Sequence, residues 1–200
     1  VRSVVAAPEG ELLLALQQGL GFLTKDNVFR PAKLELAGNL NTVQDLQQDN
    51  DSWLLATDSG AYRWFPDSGA IQLLDQSLRG VKSRVVKPRA AGGFWIGTAI
   101  GLFVYDQGNL TPFTFNNELE STVITYIEEQ QDKLLIGTTR GGYQFQQQKL
   151  LRIGLGSPLY HAYISSFLWL KDGSVLAATI TMNDGIYARV VEGSLFRNRY

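Results

Sequence analysis

His161 is the only histidine in this 200-residue chain, and there is no cysteine. That removes cysteine nucleophiles, iron–sulfur clusters and the thiolate or multi-histidine zinc sites together. No Gly-x-Ser-x-Gly elbow is present, so a serine triad has no sequence support. Glu128-Glu129 and Glu118/Glu120 offer paired carboxylates, but nothing in their spacing makes them converge. Asp49-Asn50-Asp51 loosely suggests a calcium loop, yet the glycine and distant glutamate of such a loop are missing, and hairpin-turn chemistry accounts for it. Gly19-Leu-Gly21 and Arg140-Gly-Gly142 are turn glycines without phosphate-loop context, and Asn109-Leu-Thr111 matches a glycosylation acceptor only formally. The one charge asymmetry is Arg79 to Arg89, with five basic residues and no acid. A solvated or salt-bridged strand edge accounts for it better than an anion site does. The sequence therefore assigns no catalytic residue, no metal ligand and no cofactor.

Composition agrees. Formal net charge is −1 and charged residues make up 18%, which excludes a generally basic nucleic-acid binder and a disordered acidic chain. No apolar run approaches the ~20 residues needed to span a bilayer. The chain starts at Val1 without a recognisable leader, which reads as a piece of a longer protein or a mature chain. Twenty glycines and 11% aromatics are the composition of turns and strands.

The elements that must position any site come from a repeat. Leu12-Leu-Leu-Ala-Leu-Gln-Gln-Gly19, Trp53-Leu-Leu-Ala-Thr-Asp-Ser-Gly60, Phe94-Trp-Ile-Gly-Thr-Ala-Ile-Gly101, Leu134-Leu-Ile-Gly-Thr-Thr-Arg-Gly141 and Val175-Leu-Ala-Ala-Thr179 with Gly185 align at a near-constant period of about forty. Upstream runs (Val4–Ala6, Val43–Leu46, Arg84–Val86, Ile124–Ile127, Ile164–Leu168) end in polar turns at Glu9-Gly10, Asn50-Asp51, Gly92-Gly93, Gln131-Asp132 and Asp172-Gly173. After each anchoring glycine a third strand carries large residues two apart (Tyr62/Trp64, Phe103/Tyr105, Tyr143/Phe145), which puts each pair on one sheet face. Fourth strands are expected at Lys33–Leu36, Ile71–Leu74, Thr111–Phe115, Leu150–Ile153 and Ser194–Phe196. The second strand is apolar at consecutive positions and so needs cover on both faces. Its small residue (Ala15, Ala56, Gly97, Gly137, Ala178) permits close approach between neighbouring sheets. These properties predict an all-β fold: a β-propeller of about five four-stranded antiparallel blades at residues 1–41, 42–82, 83–122, 123–161 and 162–200, nearly without helix.

Phe94-Trp-Ile-Gly-Thr-Ala-Ile-Gly-Leu-Phe-Val-Tyr-Asp106 resembles the repeat of the two-component regulator propeller family. Leu134–Phe145 is similar, with Gly142 in place of the leucine and Gln146 in place of the final aspartate; Trp53–Phe65 lacks the Gly-Thr pair, and the first and fifth copies depart further. The motif encodes a blade and not a ligand site. The resemblance implies an extracytoplasmic sensor region of a hybrid histidine kinase or diguanylate cyclase, the periplasmic part of an inner-membrane protein. Its partner is then a small molecule, such as a sugar or an anion, or another protein. The alternatives are a docking propeller without a sensing role and a propeller lyase or glycan hydrolase.

Loops on a rigid scaffold are where propellers bind. The expected ligand-reading residues are Asp58, Thr139, Arg140 and Asp184 in the second-to-third strand turns, Arg84 and Lys87 on a channel-lining first strand, and His161 before the fifth blade. The repeat begins with a first strand and finishes with a fourth, so no blade interlocks the two ends. That phase favours a slice of a larger propeller over a closed five-bladed ring. A slice leaves two apolar blade faces, which two chains could cover for each other as a homodimer.

Overall fold

The computed structural model describes residues 1–17, 19–34, 42–155, 158–171, 174–181, 185–192 and 197–198. Among the described residues, twenty strands form five separate four-stranded antiparallel sheets, each built from consecutive strands. Blade 1 is β1 (Ser3–Ala6), β2 (Leu12–Leu16), β3 (Gly19–Leu23) and β4 (Phe29–Pro31). Blade 2 is β5 (Val43–Asp49), β6 (Ser52–Thr57), β7 (Gly60–Trp64) and β8 (Ile71–Leu73). Blade 3 is β9 (Ser83–Pro88), β10 (Phe94–Thr98), β11 (Gly101–Asp106) and β12 (Asn109–Pro112). Blade 4 is β13 (Ile124–Gln130), β14 (Lys133–Thr138), β15 (Gly141–Gln146) and β16 (Lys149–Arg152). Blade 5 is β17 (Tyr163–Trp169), β18 (Val175–Thr181), β19 (Gly185–Glu192) and β20 (Arg197–Asn198). Helix among the described residues is confined to four short 3₁₀ turns. The β-propeller is what the repeat predicts.

The apolar second strands of the inner blades are covered on both sides by neighbouring blades, as their composition requires. On one face of β6, Trp53 and Leu55 pack with Leu13 and Ala15 of blade 1; on the other, Leu54 packs with Val86 and Ile96 of blade 3. Burying one such leucine stabilises by roughly 1.5–3 kcal/mol. Gly97 shows how tight these seams are. A Cβ there would collide with Val85 of its own blade and come within 2.7 Å of Ile124 of the next.

Two fourth strands differ from expectation. In blade 1 the strand is Phe29–Pro31 and not Lys33–Leu36, because Thr24 closes a shorter hairpin by accepting the Val28 N–H at 3.2 Å. In blade 3 it is Asn109–Pro112, and Phe113, beyond its end, turns into the core at 7% exposure while still donating to the Leu102 carbonyl at 2.8 Å. In blade 5 the expected strand at Ser194–Phe196 lies outside the described residues, as do Asp172-Gly173 and positions 35–36 of the first copy.

Antiparallel order gives the array two distinct faces. The linker face carries the second-to-third strand turns and the connections between blades. The hairpin face carries the first-to-second and third-to-fourth turns.

Candidate functional site

Four of the expected residues lie on the linker face. Asp58, in the β6–β7 turn, accepts from Gln44 Nε2 at 2.8 Å and pairs with Lys82 Nζ at 2.5 Å, tying blade 2 to the start of blade 3. Burial works to raise its carboxyl; the bonds from Lys82 and Gln44 outweigh that and hold it below the ordinary carboxylate range. Further along, Arg140 and His161 are brought together around Arg152, a residue the sequence did not single out. The Arg152 guanidinium pairs with Glu120, donates to the carbonyls of Tyr160 at 2.6 Å and Arg140 at 3.3 Å, and lies 3.1 Å from His161 Nδ1. It also stacks over the Tyr160 ring, 3.7 Å from the centroid. Thr139 Oγ1 is hydrogen-bonded to Ser121 Oγ at 2.7 Å. Desolvation acts to raise Glu120, but Arg152 and His161 hold its carboxyl low. A carboxylate so stabilised is a poor general base.

Arg84 and Lys87 do not join that group. The innermost strands of blades 2 to 5 each skip one residue in their pairing: Gln44, Arg84, Thr125 and Ser165. This bulge recurs at the blade period and re-aims side chains at the linker end of each strand. Gln44 reaches Asp58, Thr125 donates to the Ile164 carbonyl at 2.5 Å, and Ser165 donates to the Ala178 carbonyl at 3.1 Å. Arg84 Nε is buried without a hydrogen-bond partner among the described residues. Lys87, at the far end of β9, sits 4.0 Å from Asp45, which also accepts from Ser3 Oγ and the Val86 N–H. The basic stretch is thus dispersed over separate partners. Asp184 lies outside the described residues.

Two cavities open elsewhere, on the hairpin face. One, of about 550 Å³, lies between blades 1 and 2, with Phe22, Trp53 and Trp64 in its walls and Glu9, Glu11, Asp51 and Asp67 around it. The next, of about 560 Å³, lies between blades 2 and 3, lined by Asp49, Arg63, Phe94, Tyr105 and Asp106 among others. Asn50 borders both. At four places on this face a cation lies over an aromatic ring: Arg30 over Phe22 (4.7 Å), Arg63 over Tyr105 (5.9 Å), Arg89 over Trp95 (4.9 Å) and Lys133 over Trp169 (5.6 Å). Arg63 is also clamped on Asp49 at 2.5 Å, and Trp95 Nε1 donates to Glu129 of blade 4 at 3.0 Å. Sequence reasoning missed these grooves. Aromatics at the start of the second strand and the end of the third, flanked by aspartates, are the signal that points to them.

Asp49-Asn50-Asp51 is a tight turn with Asn50 at φ 53°, and no metal-binding cluster occurs among the described residues. Glu128 and Glu129 point to opposite sheet faces, toward Tyr126 and Trp95. No described helix is long and apolar enough to cross a membrane.

No protein-family profile matches the chain, and no curated protein matches it. Solved structures do. The extracellular domain of BT3049 from B. thetaiotaomicron, named as a hybrid two-component system, superposes with a TM-score of 0.73 at 20% identity, over 92% of this chain and 28% of its own. The extracellular domain of BT4673 from the same organism, named as a one-component system, gives 0.72 at 19% identity, over 96% and 28%. Virginiamycin B lyase from Staphylococcus aureus gives 0.68 at 12%, over 92% and 68%. The chain thus spans little more than a quarter of the first two. At such identities the likeness is one of fold, and that fold is the β-propeller.

Proposed function

We propose that this chain is a recognition module, the extracytoplasmic sensor propeller of a bacterial signalling protein, which binds a small molecule or a protein without transforming it. The observation that carries this reading is the placement of chemistry: aromatic-lined cavities at the blade seams, with Asp58 and Glu120 of the linker face tied to Lys82 and Arg152. Glu120, Arg152 and His161 satisfy each other. The likeness in fold to extracellular domains of signalling proteins supports the location and role that the repeat resemblance implies.

The test is a thermal-shift screen of the chain against neutral sugars, small anions, amines and peptides, followed by mass spectrometry of the ligand after incubation. The expected result is a saturable rise in Tm with one class and recovery of that ligand intact. A ligand converted to product, or a Tm that no class raises, overturns the reading.

A further inference from the structure

Resting on the reading of the chain as a recognition module, we propose that the groove between blades 1 and 2 on the hairpin face binds aliphatic ammonium ligands of the di- and polyamine class. Its volume of about 550 Å³ suits a small molecule and not a protein surface. The half-buried Phe22, with Pro8, Pro31 and Pro66, supplies an apolar wall along which methylene groups can lie, backed by the buried Trp53 and Trp64. The carboxylates are arranged on both sides of the seam: Glu9 and Glu11 from blade 1, Asp51 and Asp67 from blade 2. Glu9, Asp51 and Asp67 are exposed and meet no cation among the described residues.

The protein itself demonstrates what the groove recognises. Arg30 lays its guanidinium 4.7 Å above the Phe22 ring and 3.0 Å from Glu11, while its side chain remains 59% exposed. A cation on a ring beside a carboxylate is the geometry that selects ammonium ions, and a 59% exposed arginine is readily displaced. One ligand ammonium takes the place of Arg30 over Phe22 and against Glu11. A second, on the same chain, reaches Asp51 and Asp67 across the seam, each ammonium offering three donors to carboxylate oxygens. Two cationic ends joined by methylenes fit this arrangement better than one. Anions meet four carboxylates against the two basic side chains Arg30 and Lys33, and are repelled.

Isothermal titration of the chain with spermidine, butylamine, glucose and citrate, read in parallel by tryptophan fluorescence, tests this. Spermidine is expected to bind one-to-one, about tenfold or more tighter than butylamine, and to weaken by at least about tenfold in Asp51→Asn/Asp67→Asn. Arg30→Ala, which clears the ring, is expected to tighten it, and added salt to loosen it. Because Asp51 and Asp67 are surface residues, an unchanged Tm in the double variant ties its loss of affinity to the groove. Equal affinity of the double variant for spermidine, or equal affinity for butylamine, overturns the proposal. Binding of glucose or citrate but not spermidine also overturns it, as does no binding by any of the four, while the recognition module stands or falls on the wider screen.

Discussion

Thr57, Thr98 and Thr138 hold the same position in three blades, and each is fully buried. In each, Oγ1 donates to the carbonyl of the glycine three residues on at 2.8 Å and accepts an N–H two residues on at 3.0–3.1 Å. The side chain therefore closes the turn that the backbone leaves open, at Gly101 over a φ of 136° where a side chain would run into Asn116. Thr98→Val, which keeps the shape and removes both bonds, is expected to cost about 1–3 kcal/mol in urea unfolding, because it strands a buried donor and acceptor. Asp58 and Glu120 set a second expectation. Their carboxyls titrate lower in the folded chain than in the unfolded one, so their contribution is present above the ordinary carboxylate range and is lost as pH falls through it. The Tm of the natural chain is expected to fall more steeply below about pH 4 than that of Asp58→Asn/Glu120→Gln, as followed by circular dichroism. The recurring threonine was plain in the sequence as a motif; its work as a turn closure was not, since that depends on a carbonyl three residues away.

At the level of strands, periodicity carried most of the fold. Five copies of apolar run, small residue and glycine located the second and third strands almost to the residue, because both are dictated by local pattern. The fourth strands were harder. They are short, sit at the outer edge and are placed by hairpin length, as Thr24 shows in blade 1. The grooves were hidden for a different reason: each is made by two blades at once, and Arg30, Phe22 and Glu11 approach only when separate strands fold together. One turn departs from the usual chemistry. Gln147 and Gln148 both have positive φ, 51° and 58°, in a two-residue hairpin that ordinarily takes Asn-Gly. Gln147→Asn/Gln148→Gly is expected to stabilise the chain by about 0.5–1 kcal/mol by relieving left-handed backbone strain, which thermal unfolding would register as a higher Tm.

The array has two outer blade faces. Val4 and Leu12 of blade 1 are 50% and 39% exposed, and Leu168 and Ile180 of blade 5 are 57% and 46% exposed, at positions that in the inner blades meet a neighbour. The two faces differ, so association that mimics the inner seams joins the front of one chain to the back of another. We expect the chain to self-associate in light scattering at raised concentration, and Leu12→Lys/Leu168→Lys to shift it toward monomer; a clean monomer before substitution argues against exposed seams. The inner strands add a polarity of their own. Asp45 of blade 2 reaches forward to the Val86 N–H of blade 3, and Thr125 of blade 4 to the Ile164 carbonyl of blade 5. Like overlapping roof tiles, blades 2 and 4 each cover part of the backbone of the sheet after them.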